Sequence, residues 1–162
     1  MPTVYILIGL PGSGKSTWRS LYIEQNPNDE LVVCSTDDMI EEWGARHGLN
    51  YSQAFDKAPM SQFNKDFMKK FRDAVAAGKN VLVDRTNMSV KRRKDFLENL
   101  PEGYRKVGVV FTVPDQELTR RLTARAKETG KHIPDHVIKN MANSYVPPQP
   151  GEFHTVIYHN PV

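Results

Sequence analysis

The chain contains 162 residues, of which 39% are apolar and 25% are charged, and it carries a net charge of +3 at neutral pH. This size and composition are typical of one soluble domain with a single core, which we assign to residues 1–162. Because no stretch reaches the roughly 20 apolar residues of a membrane span and no secretion signal is found, we expect a cytoplasmic protein that contacts no membrane.

Apolar runs and helical spacing alternate along the whole chain. Runs rich in branched apolar residues predict buried strands at residues 4–9, 31–34, 81–84, 106–113 and 155–158. Apolar residues three or four apart predict helices at residues 15–25, 37–46, 61–77, 89–100, 114–127 and 133–145, with loops at 50–59 and 128–132. This alternation predicts an α/β fold in which helices cover both faces of one parallel sheet. The single cysteine, Cys34, lies in the second apolar run and is predicted to be a buried, unreactive thiol.

A glycine-rich segment joins the first predicted strand to the first predicted helix. Residues 9–17 read GLPGSGKST and match G-x-x-x-x-G-K-[ST], in the strand-to-helix context that this phosphate-binding loop (P-loop) requires. The backbone amides of such a loop and the positive end of the helix bind phosphates. Lys15 is expected on the β- and γ-phosphates and Ser16 on Mg²⁺. The residues predicted to bind a nucleoside triphosphate, most simply ATP, are Gly12, Ser13, Gly14, Lys15, Ser16 and Thr17.

Motifs of other P-loop proteins are absent from the sequence. It contains no N-K-x-D or T-K-x-D guanine-binding motif and no D-x-x-G switch sequence, as a GTPase switch would have. It also has no L-S-G-G-Q motif and no long coiled coil, which argues against transport and chromosome ATPases. These absences favour a small kinase, a phosphotransferase that acts on a hydroxyl acceptor.

Carboxylates follow two of the predicted strands, at the edge of the sheet where ligands bind in parallel α/β folds. Asp37 has two interpretations. It is either a general base that accepts the proton of an attacking hydroxyl or, with Asp38, a favourable charge at the start of a helix. Asp84 ends the third strand and is expected to hold Mg²⁺ through water.

Basic residues are concentrated in the second half of the chain, where residues 85–162 contain 13 Lys/Arg and 8 Asp/Glu. Arg121 and Arg125 are four residues apart and share one helix face. They are the predicted cations for the transferred phosphate, in a small basic lid at about residues 121–133. Arg92 and Arg93 form a further cluster, which either binds phosphate or faces water.

These segments resemble, in order, the polynucleotide 5′-hydroxyl kinases of phages and of nucleic-acid repair enzymes. The resemblance covers most of the chain and implies an adenylate-kinase-like P-loop fold that uses ATP and Mg²⁺. It also implies that Asp37 is the base toward a 5′-hydroxyl, and that Lys15 and one of Arg121 and Arg125 contact the phosphates. The residues that carry the resemblance are Gly9 to Trp18, Asp37 and Asp38, Thr86 and Asn87 followed by Arg92 and Arg93, Arg121 and Arg125, and Tyr145 to Phe153. Among them, the predicted substrate-binding residues are Asp37, Thr86, Asn87, Arg92 and Arg93.

The sequence departs from the family pattern at Ile40. Phage members have an arginine there, three residues after the base, and it holds the 3′-phosphate of the acceptor. Arg46, on roughly the same helical face as Met39 and Glu42, is a candidate replacement, and Tyr51 or Phe55 is a candidate for stacking on a base. The leading hypothesis is transfer of the ATP γ-phosphate to the 5′-hydroxyl of RNA or DNA. The alternatives are a small-molecule kinase acting on a nucleoside, sugar or other metabolite, and a nucleotide-dependent binding module without acceptor chemistry.

Overall fold

The computed structural model describes residues 1–159 and has twelve regular elements within them. The strands are β1 (Thr3–Ile8), β2 (Val32–Ser35), β3 (Val81–Asp84), β4 (Arg105–Phe111) and β5 (Thr155–His159). The helices are α1 (Lys15–Gln25), α2 (Thr36–Arg46), α3 (Tyr51–Lys57), α4 (Met60–Ala76), α5 (Val90–Leu97), α6 (Asp115–Thr129) and α7 (Asp135–Asn143). None of these helices is long and apolar enough to cross a bilayer.

The five strands form one parallel sheet in the order β2-β3-β1-β4-β5. The central strand β1 is apolar on both faces, and Val4, Ile6, Leu7 and Ile8 are fully buried. A strand buried on both sides reads as a continuous apolar run, which is why β1 was recognisable in the sequence. The predicted α/β fold with one parallel sheet is confirmed.

Aromatic side chains fill the core on both faces of the sheet. On one face, Phe67 and Phe71 of α4 pack against Phe96 of α5, with ring centroids 5.7 and 5.2 Å from that of Phe96. On the other face, Trp18 of α1 packs against strand residues that include Tyr5. Burying each large apolar side chain contributes about 1.5–3 kcal/mol. The sheet is therefore a rigid base for the loops at its carboxyl edge.

The ends of several elements differ from the sequence prediction by up to three residues, and two of the differences concern the predicted loops beside this edge. Residues 51–57 were predicted to be a loop but form α3, because Asn50 and Gln53 cap its first turn reciprocally. Helix α6 continues through Thr129 and ends at Gly130, whose φ of 74° suits glycine. Most of the predicted lid at residues 121–133 is therefore helical, and only residues 130–134 connect α6 to α7.

Candidate active site

The P-loop connects β1 to α1 and requires glycine at two positions. Gly12 and Gly14 have φ values of 79° and 109°, a region that residues with a Cβ atom rarely adopt. A Cβ atom on Gly12 would also lie 3.1 Å from the side chain of Leu122. No side chain caps the N-terminus of α1, so its first amides are free of side-chain acceptors.

Two polar side chains of the P-loop fit an anionic ligand. The Ser13 hydroxyl is buried and has no hydrogen-bond partner within residues 1–159. The Lys15 ammonium donates to the Gly9 carbonyl at 2.7 Å. A buried polar group without a partner is unfavourable by about 1–3 kcal/mol, and such a group commonly marks a ligand site. The uncapped helix, the left-handed glycines and these two side chains are therefore suited to a triphosphate.

The electrostatics of Lys15 show which predicted site residues lie together. Burial lowers the pKa of the Lys15 ammonium to about 8, although Asp84 and Asp37 act to raise it, and Arg125 contributes to lowering it. A neighbouring charge shifts a pKa noticeably only at short range. Lys15, Asp37, Asp84 and Arg125 come from four separate elements, and the fold gathers them at the carboxyl edge of the sheet.

Arg19, one turn after Lys15 on α1, was not predicted to belong to the site. Its guanidinium donates to Asp38 at 2.6 and 3.2 Å and to Asp84 at 3.2 Å. Burial raises the pKa of the Asp84 carboxyl, while Lys15 and Arg19 oppose that shift. Arg19 therefore pairs with both Asp38 and Asp84, whereas the neighbouring Asp37 forms no ion pair within residues 1–159.

No group of three or more His, Cys, Asp or Glu side chains suited to a metal ion occurs among residues 1–159. Mg²⁺ bound with a nucleotide needs only one or two protein ligands in addition to phosphate oxygens and water. The Ser16 hydroxyl is exposed at the start of α1, and the Asp84 side chain is 12% exposed. These two residues fit the predicted metal role, which stays a prediction.

Asp37 lies in the first turn of α2 and is exposed. Capping of that helix is performed by Ser35, whose hydroxyl accepts from the Asp38 amide at 3.2 Å. One Asp37 oxygen, Oδ1, accepts a 2.6 Å hydrogen bond from the Tyr51 hydroxyl of α3. The other oxygen has no hydrogen bond within the described chain, so Asp37 retains an accepting position toward solvent.

The two predicted lid arginines occupy different positions. Arg121 donates to Glu117 at 2.9 Å and to the Gly12 carbonyl of the P-loop at 3.3 Å. Arg125 contributes to the electrostatics of both Lys15 and Tyr51. Arg125 is therefore within electrostatic range of both Lys15 and Tyr51, whereas Arg121 contacts the P-loop backbone directly.

Arg93 and Asn87 were predicted to bind substrate, and the structure places both in the interior, where their partners belong to the protein itself. All five N–H groups of the Arg93 guanidinium are used, two by Glu152 and three by the carbonyls of Asn87, Val146 and Pro147. The Arg93 side chain is 0% exposed. Asn87 is also buried, has a φ of 49°, and donates to the Leu7 carbonyl at 2.7 Å. Both residues hold segments of the fold together.

Arg85, which follows Asp84, was not predicted to have a function. Its guanidinium lies 3.7 Å from the centroid of the Phe67 ring and donates to the side chains of Thr36 and Asn64 at 3.2 and 3.3 Å. Burial and the nearby charge of Arg92 lower the pKa of Arg85. Neither arginine side chain forms an ion pair within residues 1–159, although the Asp95 carboxylate acts on Arg85 in the opposite sense to Arg92. The neighbouring Thr86 accepts a 3.0 Å hydrogen bond from the Gly9 amide through its carbonyl.

Residues 4–148 match the model of the AAA_33 family, which is described as an AAA domain. The chain belongs to this family. Among curated relatives of this AAA domain is the adenylate kinase of Renibacterium salmoninarum, which is 33% identical over 156 residues that cover 88% of the chain and 77% of the enzyme. Together with the parallel sheet and the P-loop, these matches show a P-loop kinase fold.

A second relative is much longer than this AAA domain. Heterogeneous nuclear ribonucleoprotein U-like protein 2 of Mus musculus is 28% identical over 156 residues, which cover 93% of the chain and 20% of the relative. The chain thus spans about one fifth of that protein. The match concerns the domain and not the whole relative.

Solved structures with the same fold include kinases of different kinds. A chain of the Pnkp1/Rnl/Hen1 RNA repair complex superposes with a TM-score of 0.67 and 27% identity, covering 88% of this AAA domain and 43% of that chain. A sugar kinase from Janibacter sp. HTCC2649 superposes with a TM-score of 0.64 and 13% identity, covering 99% of this domain and 86% of that kinase. At 13% identity the second likeness shows the fold alone.

Proposed function

We propose that this AAA domain is an ATP-dependent polynucleotide kinase that transfers the γ-phosphate of ATP to the 5′-hydroxyl of RNA or DNA. The observation that carries the proposal is the exposed Asp37 carboxylate, which shares one site with the P-loop Lys15 and with Arg125. A module that only binds nucleotide needs the P-loop but does not need an unpaired carboxylate in the same site. An acid in that position supports acceptor chemistry.

In the proposed reaction, a free oxygen of Asp37 accepts the proton of the acceptor hydroxyl. The acceptor oxygen forms a bond to the γ-phosphorus while the bond from that phosphorus to the β–γ bridging oxygen breaks, and ADP leaves. Lys15 and Arg125 balance the negative charge on the phosphoryl oxygens during transfer. Mg²⁺, when it is bound by Ser16 and Asp84, would supply further positive charge to the same oxygens. Arg19 keeps Asp84 and Asp38 in place during these steps.

A phosphate-bearing acceptor is supported by Arg85 and Arg92, two arginines that act on each other and form no ion pair within residues 1–159. Arg85 is fixed by its stack on Phe67 and by its bond to Thr36, the residue before Asp37. Arg92 is exposed on α5. A phosphorylated acceptor whose hydroxyl reached Asp37 would therefore lie near the Arg85 guanidinium, which is bonded to the adjacent Thr36. The 27% identity to a chain of an RNA repair complex supports the same class of acceptor.

A small-molecule acceptor is the second candidate, and Ile40 favours it. Ile40 is 1% exposed and packs in the cluster between α2, α3 and α4, so this position cannot present a side chain to an acceptor phosphate. The two candidates differ in charge, because a polynucleotide releases counterions when it binds and a neutral metabolite does not.

The decisive experiment offers γ-labelled ATP together with 5′-hydroxyl oligonucleotides, mononucleotides and a panel of small metabolites. Asp37→Asn should lose transfer by about 10²- to 10⁴-fold while it still binds Mg·ATP, because only the base is removed. Lys15→Ala should lose both binding and transfer. Asp73→Asn, which changes an exposed acid of α4 that pairs with Lys69, is the matched control and should behave as wild type.

The acceptor class is tested by the salt dependence of the acceptor KM. In Arg92→Ala, the slope of log KM against log salt concentration should decrease by about 0.7 for each phosphate contact removed from a single strand. Arg72→Ala, at an exposed site on α4, should leave the slope unchanged. Labelling of a neutral metabolite and of no oligonucleotide would replace the first proposal with the second.

A further inference from the structure

The connection between α6 and α7 is attached to the acceptor side of the site by a set of contacts that we call the clasp: Glu41, Tyr51, Ser52, Gly130 and Lys131. The Lys131 ammonium forms an ion pair with Glu41 of α2 and lies 4.7 Å from the centroid of the Tyr51 ring. The Gly130 carbonyl accepts a hydrogen bond from the Ser52 hydroxyl of α3. The Lys131 side chain is only 14% exposed, so these contacts cover it. The connection is therefore closed over α2 and α3.

Tyr51 links the clasp to the proposed base. Its ring faces Lys131, while its hydroxyl donates to Asp37 Oδ1 at 2.6 Å. Burial and the adjacent Asp37 carboxylate raise the pKa of the Tyr51 hydroxyl, so it remains a hydrogen-bond donor at any physiological pH. A single donor on Oδ1 fixes the rotation of the carboxylate and leaves Oδ2 for an acceptor hydroxyl.

The clasp also fixes the end of the helix that carries Arg125. The Thr129 hydroxyl donates to the Arg125 carbonyl at 2.6 Å, and the Gly130 amide donates to Ala126 at 3.0 Å. Gly130 and Lys131 follow directly. Contacts that hold these two residues therefore hold the last turn of α6, and with it the position of Arg125 relative to Lys15.

We propose that Tyr51 is a positioning residue for phosphoryl transfer, and that the clasp sets Asp37 and Arg125 in place together when residues 130–134 close on α2 and α3. The inference rests on the kinase function proposed above. Tyr51 contacts both Asp37 and Lys131 of the closing segment, so the orientation of the Asp37 carboxylate depends on closure. An open site then has neither an oriented base nor a placed arginine, which limits transfer of the phosphate to water.

Tyr51→Phe tests the hydroxyl, because it keeps the ring that packs under Lys131. We expect kcat to fall about 10- to 100-fold, the range for loss of a hydrogen bond to a charged group, while the KM for ATP stays unchanged. Tyr104→Phe is the matched control, since it removes a hydroxyl that bonds the Val75 and Lys79 carbonyls. A wild-type kcat in Tyr51→Phe, or an equal loss in Tyr104→Phe, would overturn the proposal.

A charge exchange tests the closing contact. Glu41→Lys and Lys131→Glu should each lower kcat and speed the hydrogen exchange of amides 130–133, and the double variant should recover most of both losses because it restores an ion pair of opposite polarity. Wild-type exchange in both single variants, or no recovery in the double variant, would refute the clasp. Hydrogen exchange is measured without an acceptor, so it tests the clasp independently of the proposed function. A chain that phosphorylates no acceptor but shows this exchange pattern has the clasp and a different activity.

Discussion

Arg93→Ala is expected to lower the free energy of unfolding by about 3–5 kcal/mol, because it leaves the Glu152 carboxylate in the fold without its cation. The Arg93 side chain is 0% exposed and that of Glu152 is 11% exposed, so water cannot replace the lost bonds fully. The carbonyls of Asn87, Val146 and Pro147 lose their donor as well. The loss therefore combines an unpaired charge with unsatisfied backbone groups.

The assay is urea denaturation at pH 7 followed by circular dichroism, since urea does not screen charges. The matched control is Arg92→Ala, one residue away but exposed, which should change stability by no more than about 0.5 kcal/mol. Burial acts to raise the pKa of Glu152, but hydrogen bonds from Arg93 and the Gln149 amide outweigh it and keep the pKa below its ordinary value. The pair therefore stabilises the fold above a pH of about 4.3, the ordinary value, and this contribution is lost as the pH falls through the folded pKa.

Equal stability of the Arg93 and Arg92 variants would refute this reasoning. If Arg93→Ala unfolded at the same urea concentration as Arg92→Ala and instead raised the KM of the acceptor, Arg93 would be a substrate ligand, as the sequence predicted. A second measurement uses Arg93→Met with Glu152→Leu. Removing both charges together should recover part of the loss, because an apolar pair leaves no buried charge without a partner.

Three further changes probe the site and its support. The pKa of Lys15 is about 8, and only its protonated amine binds phosphate. The affinity for Mg·ATP should therefore be constant below pH 8 and fall about tenfold per pH unit above it. Calorimetry that shows the same affinity up to pH 9.5 would contradict this. Burial raises the pKa of Cys34 to about 11, so folded protein should react with iodoacetamide at least about 100-fold more slowly than urea-unfolded protein, and equal rates would show an accessible thiol. Gly44→Ala should destabilise the fold by about 1–2 kcal/mol, because the new Cβ would lie 2.8 Å from that of Ala54. This cost exceeds the gain from the better helix propensity of alanine. A gain of stability in urea denaturation would show that α3 can shift.

Features with a local cause could be predicted from the sequence. The bounds of α1 and β3 were predicted correctly, because glycine-rich loop chemistry and a buried apolar run identify them without distant contacts. The capping pattern of Asn50 and Gln53 is equally local. It predicts the start of α3, and the loop assigned to residues 50–59 does not take it into account. The two-residue extension of α6 past residue 127 lies within the usual error of helix ends.

Contacts between distant segments were decided by the tertiary structure alone. Arg92 and Arg93 are adjacent and chemically identical in the sequence, but one is exposed and the other meets Glu152, 59 residues away. Arg19 joins Asp84 across 65 residues, and Tyr51 meets Asp37 only because α3 folds back along α2. The sequence by itself determined the P-loop, the strand-to-helix alternation and the acids available at the strand ends, since each depends on neighbouring residues. Which charges face a ligand and which hold the fold together depends on where the strands meet, and that is set by packing of the whole sheet.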